Sequence, residues 1–187
     1  YATADPDPRV AGKGARQLRR AGLTVTSGLL VTEAQQLNES YLASQKSGRP
    51  FVILKLAQSL DGKIATASGD SKWMSGPQSR KFVHQLRSEV DAVVVGAETV
   101  RKDNPLLTVR HVRGKNPYRI VVTGRQSVPL KSKVISANLD RKTIFAVPQT
   151  LAKSTAIKRT QQDGVHIWPI SGTREGLNPG ALMKKAH

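Results

Sequence analysis

Cysteine is absent from all 187 residues, which excludes disulfide staples and any zinc site built on thiolates. Aromatic residues make up only 4%, and they never alternate with basic residues in the manner that stacks nucleic-acid bases. No apolar run approaches the roughly 20 residues a membrane span needs, and the N-terminus lacks the basic-then-apolar pattern of a signal peptide. Cytosol is the expected compartment. Acidic residues are scarce, 13 against 30 lysines and arginines, for a net charge of +17. Taken alone that charge points to nucleic acid, yet the basic residues are spread through every segment and no block of about five like charges forms. A solvated basic surface accounts for it equally well. Also missing are a His-Glu-x-x-His metal pair, a Gly-x-Ser-x-Gly elbow, a P-loop lysine motif and Gly-x-Gly-x-x-Gly. The usual signatures of zinc hydrolases, serine hydrolases, phosphate-loop enzymes and Rossmann proteins are therefore not here.

What is present suits one sizeable core, or one domain with part of another. Residues 1–50 read as the end of a preceding domain. They comprise a turn at 5–8, a helix with Leu18 inward, a half-buried strand over 23–28, and a helix capped by Thr32. From residue 51 strands and helices alternate. Residues 51–56 form a near-continuous apolar run, which predicts a strand buried on both faces. A helix is expected over 75–88, with Ser75 and Gln78 as a capping box and Pro77 in the first turn. Its apolar stripe is Phe82, Val83, Leu86 and Val90, and Arg80, His84 and Arg87 share another side. Strands are expected over 91–96, 118–124, 142–147 and 164–170. A helical turn is expected over 97–100 and a helix over 150–161, with Asn178 capping a last helix at Pro179.

Glycine-terminated strands that feed polar turns build a ligand cleft at strand ends. The residues offered there suit anionic ligands. Trp73 stands in a polar loop, where an indole either walls a pocket or packs as a satellite core residue. Arg87 and Arg110 are able to fork onto a phosphate or carboxylate, or to lie solvated. Asp103 precedes Asn104-Pro105, where a turn-forming carboxylate is the ordinary role. Lys55 lies mid-strand among apolar neighbours, which asks for a partner, a cleft or a strand edge. On residue chemistry alone the reaction stays open.

Four pieces stand in order: Lys55-Leu-Ala-Gln-Ser-Leu-Asp-Gly-Lys63, Ala67-Ser-Gly-Asp-Ser-Lys-Trp73, Leu86-Arg87, and Gly96-Ala-Glu-Thr-Val-Arg-Lys-Asp-Asn-Pro-Leu-Leu-Thr-Val-Arg110. Together they resemble the reductase domain of the bifunctional riboflavin-biosynthesis deaminase/reductase family. The resemblance implies an α/β fold with a dihydrofolate-reductase-like central mixed sheet flanked by helices. Residues 51–187 would form that domain, and 1–50 the tail of a cytidine-deaminase-like domain. It implies NADPH-dependent reduction of the ribose of 5-amino-6-(5-phosphoribosylamino)uracil, a phosphorylated pyrimidine, by hydride transfer to C1′. By position, Ala57, Trp73, Thr99 and Asp103 look like cofactor contacts, and Ser71, Arg87, Leu107 and Arg110 like substrate contacts. Lys55 and Asp103 are the catalytic candidates. A homo-oligomer, dimer or tetramer, is implied, with neither nucleic acid nor membrane as partner.

Three departures stand out. Gly124 occupies a position where some relatives carry a polar cofactor contact. The family's later acidic-Gly-Gly segment is absent, so the chain is expected to lack its closing strands. The deaminase zinc ligands are absent as well, so zinc and deamination are not expected of this chain. The rival readings are another dihydrofolate-reductase-like pterin or pyrimidine reductase, and a basic nucleic-acid-binding module.

Overall fold

A computed structural model describes residues 1–70, 74–124, 128–173 and 176–187. The chain divides into two compact units, one of Tyr1–Leu54 with Met183–His187 and one of Lys55–Leu182.

The first unit holds helices α1 (Lys13–Arg20), α2 (Val31–Leu37) and α3 (Glu39–Ser47). Arg19 and Arg20 fall in the last turn of α1, where cations meet the negative end of the helix dipole. None of the three helices buries a residue. Leu18, expected to face inward, is exposed. Residues 23–28 form no strand, and the single helix expected beyond Thr32 is two, parted at Asn38. Leu30, at φ 52, takes the N-cap place assigned to Thr32. The reason is shared: among the described residues this unit has no sheet to pair a strand or receive an apolar helix face.

The second unit is built on parallel strands. Helix α4 (Pro77–Glu89) leads into β1 (Ala92–Gly96), followed by α5 (Ala97–Asp103), β2 (Tyr118–Val122), α6 (Lys133–Ser136), β3 (Thr143–Pro148), α7 (Thr155–Gln162) and β4 (His166–Ile170). The four strands pair in the order β1-β2-β3-β4, every pairing parallel. Parallel neighbours need a crossover, and a helix supplies each one here. The antiparallel pairing expected of a mixed sheet sits in a separate ribbon of β5 (Gly172–Thr173) and β6 (Gly176–Leu177). Helix α8 (Pro179–Ala186) ends the chain, and Asn178 Oδ1 accepts the Ala181 N–H as an N-cap should.

Burial follows strand position. The interior strands are mostly apolar: Ile120, Val121, Ile144, Phe145, Ala146 and Val147 are all buried, as doubly covered strands require. Val121, Phe145 and Val147 join Val100, Val134 and Val165 from the crossovers in one core. Phe145 is 1% exposed, so cutting it to alanine would cost about 3–5 kcal/mol.

Two expectations for this region fail. Residues 51–56 are not a strand, and Val52, Leu54 and Leu56 are exposed. A strand exists through its partner's ladder, and none of β1 to β4 pairs with this segment. The capping box at Ser75 and Gln78 does not form: the N-cap is Gly76, with no side-chain hydrogen bond, although Pro77 keeps the first helical position. Phe82, assigned to the apolar stripe of α4, is exposed.

Candidate functional site

The carboxyl ends of β1 and β2 lie in register, Gly96 beside Val122. At Gly96 and at Gly124 nothing lies within 4 Å of the place a Cβ would take, so the backbone there is open to a ligand, as at the strand ends of other parallel sheets. Helix α5 starts directly from Gly96 and carries Thr99 and Asp103, both exposed, four residues apart and so on one face. The helix stops at Asn104, which turns left-handed at φ 42. Its Oδ1 accepts the Lys133 N–H at 2.8 Å.

The loop beyond Asn104 is laid along α4 and tied to it. Arg87 Nη1 donates to the Thr108 carbonyl at 2.9 Å. The Arg110 N–H donates to His84 Nδ1 at 3.1 Å. Because His84 and Arg87 are three residues apart on α4, they present to the same side. The Val109 N–H donates to Asn116 Oδ1 at 2.9 Å. Asn116 is itself held by Asp140, 3.1 Å from its Nδ2, and by Lys142 Nζ on its carbonyl. Asp140 pairs with the buried Arg119, so the loop is anchored to the sheet through that charge pair. Between these ties sits Leu107, buried at φ 57. A branched residue in the left-handed region is strained and persists where surrounding structure over-determines it.

The electrostatics of this cluster are one-sided. Burial, followed by the like charge of Arg110, lowers the pKa of the Arg87 guanidinium. His84 is pushed down to about 4 by burial, then by Arg87, His111 and Arg110. Its ring meets that of His111 edge to face at 4.5 Å. Among the described residues neither Arg87 nor Arg110 pairs with a carboxylate. Two guanidiniums close enough to feel each other, with no counter-ion, form a site that an anion would neutralise.

Of the residues expected from sequence, the structure brings Arg87, Leu107 and Arg110 together on α4 and its loop. Thr99 and Asp103 sit together on α5. Among the described residues no hydrogen bond or ion pair brings Lys55 to either group; it is an exposed side chain on an irregular segment, not a charge buried in a strand. Ala57 is half-buried on the same segment. Ser71 and Trp73 lie outside the described residues. A cavity of about 370 Å³ beside Leu130, Ile135 and Leu139 includes none of these positions. The sequence placed His84 on the side of Arg87 without giving it a role, and Asn116 was passed over. The signal for His84 was its spacing from Arg87; for Asn116, whose partners lie far along the chain, there was none.

Comparison with known proteins joins this geometry to a family. Residues 50–186 match the RibD C-terminal domain. The chain belongs to that family. It is 42% identical over 185 residues to the riboflavin biosynthesis protein RibD of Aquifex aeolicus, covering 98% of this chain and 50% of that protein. Among solved structures, Acinetobacter baumannii RibD matches with a TM-score of 0.80 at 31% identity, over 98% of this chain and 49% of that one. A Thermotoga maritima diaminohydroxyphosphoribosylaminopyrimidine deaminase/5-amino-6-(5-phosphoribosylamino)uracil reductase matches at 0.71 and 34% identity, over 89% of this chain and 52% of that one. The chain spans about half the length of these relatives. No helix among the described residues is long and apolar enough to cross a membrane.

Proposed function

We propose that this chain carries the reductase half of a riboflavin-pathway enzyme, using NADPH to reduce the ribose of 5-amino-6-(5-phosphoribosylamino)uracil to a ribityl chain. The observation that carries the reading is the pair Arg87 and Arg110, held on one helix-and-loop unit with no carboxylate paired to either among the described residues. Such a pair suits the 5′-phosphate of the sugar. Leu107 and Ser71 would complete the substrate contacts. The family's pyridine nucleotide fits the open strand ends: Gly96 and Gly124 leave room for close backbone approach, and Ala57, Trp73, Thr99 and Asp103 would hold it. When bound, the nucleotide supplies a hydride. That hydride goes to C1′, the C1′–O4′ bond breaks, and a proton goes to O4′. Lys55 is our candidate for that proton, with Asp103 fixing the donor side; holding both reactants in one orientation lowers the barrier. Residues 1–50 are, on this reading, the end of a deaminase domain, and the protein is a cytoplasmic dimer or tetramer.

The test follows NADPH absorbance with the pyrimidine substrate. Oxidation of NADPH is expected, and its absence in the full-length protein would refute the reading. Arg110→Ala is expected to weaken substrate binding by roughly 1.5–3 kcal/mol, the worth of a charged hydrogen bond. A folate-type reductase on the same fold would be indifferent to that change.

A further inference from the structure

We infer that His84 is a positioning residue for the phosphate-binding loop: its Nδ1 accepts the Arg110 backbone N–H and sets the backbone from which the Arg110 side chain reaches a phosphoryl group. The inference rests on the phosphate role proposed for Arg110.

The geometry is that of a built fixture. His84 is 5% exposed, although the other side chains of α4 are exposed or half-buried. It is mounted on a regular helix, and its Nδ1 stands 3.1 Å from the Arg110 nitrogen. To accept there, the ring must be neutral with its proton on Nε2. The groups that face it are Arg87 from α4 and Arg110 and His111 from the loop, all basic. Each disfavours a second proton, so the acceptor is kept. The edge-to-face contact with His111 at 4.5 Å restrains ring rotation and keeps the lone pair aimed. Three residues upstream, Leu107 holds its strained φ of 57, which a loop tied only at Thr108 and Val109 would be freer to relax. An apolar side chain of the same size would fill the volume but leave a backbone donor unmatched.

The test measures binding of ribose 5-phosphate to the full chain by calorimetry, for wild type, Arg110→Ala, His84→Leu, His84→Asn and the double variant H84L/R110A. We expect H84L to weaken binding about tenfold. H84N, whose Oδ1 stands near the place of Nδ1, should stay within about threefold of wild type. In the R110A background H84L should cost nothing more, because a residue acting through Arg110 has no effect once Arg110 is gone. Wild-type affinity in H84L, or a further loss in the double variant, overturns the inference. Should H84L not fold, H84N decides alone, and a loss of about tenfold there overturns it. A wild-type affinity in R110A instead defeats the phosphate reading itself, whatever the histidine variants do.

Discussion

Arg119 offers the sharpest test of how the loop is held. It lies inside β2 and is 1% exposed. Its Nε donates to Thr143 Oγ1 at 3.0 Å, one Nη2 bond reaches Asn138 Oδ1 at 2.8 Å, and both terminal nitrogens reach Asp140. Replacing it with alanine takes the guanidinium from Asn138 and Asp140, leaving Asn138 Oδ1 only the Thr143 N–H and Asp140 only Asn116 Nδ2 and the Lys142 N–H. Removing one partner of a buried pair costs about 3–5 kcal/mol. The Asp140 side chain is 29% exposed and regains water, so the low end, about 3 kcal/mol, is expected. For a chain of this length that lowers the melting temperature by roughly 6–12 °C. Asp140→Ala should cost a comparable amount, and the double variant less than the two together, since the two groups act as one unit. Urea unfolding followed by circular dichroism reads all three. Strictly additive losses, or a cost below about 1 kcal/mol for R119A, would refute the coupling. The arginine also holds the Asp140 carboxyl below the usual carboxylate range by its hydrogen bond. A lowered folded pKa contributes stability above the unfolded value, about 3.9, that is lost as pH falls through the folded one. That acid limb should be smaller in R119A, where Asn116 and the Lys142 N–H still favour the carboxylate.

Other expectations follow from the same loop. His84 titrates near 4 in the fold, against about 6.5 unfolded. Its neutral form therefore contributes stability that is full above pH 6.5 and lost as pH falls from there towards 4. The groups that face it are Arg87, Arg110 and His111, and H84N should flatten the unfolding profile across that window. Gly114 lies against α4, and a Cβ added there would sit 2.5 Å from the Ser88 Cβ. Gly114→Ala is expected to cost about 1–3 kcal/mol of strain, with Ser88→Gly in the same chain recovering most of it; a neutral G114A in a thermal melt would show that the loop is not seated on the helix. Lys55→Met should lower kcat with little change in KM if Lys55 delivers the proton, and an unchanged kcat removes it from the mechanism.

Much of the second unit was legible because its signals are local. Runs such as Ile120-Val121-Val122 and Ile144-Phe145-Ala146-Val147 read as doubly covered strands, and they became β2 and β3. Pro77 marked the start of α4 and Asn178 the cap of α8 through backbone chemistry that needs no distant partner. The motifs from Lys55 to Arg110 likewise pointed to the family that the comparisons report. Long-range facts were not written there. The apolar run at 51–56 has strand composition, yet it forms none, because pairing is a property of two segments and not of one. The tie between His84 and Arg110 spans 26 residues, and the one between Arg119 and Asp140 spans 21. Only the assembled parallel sheet, and the loop laid along α4, bring such groups within hydrogen-bonding reach. Composition set which chemistry was available, and tertiary structure decided which charges lost their water and which neighbours they met.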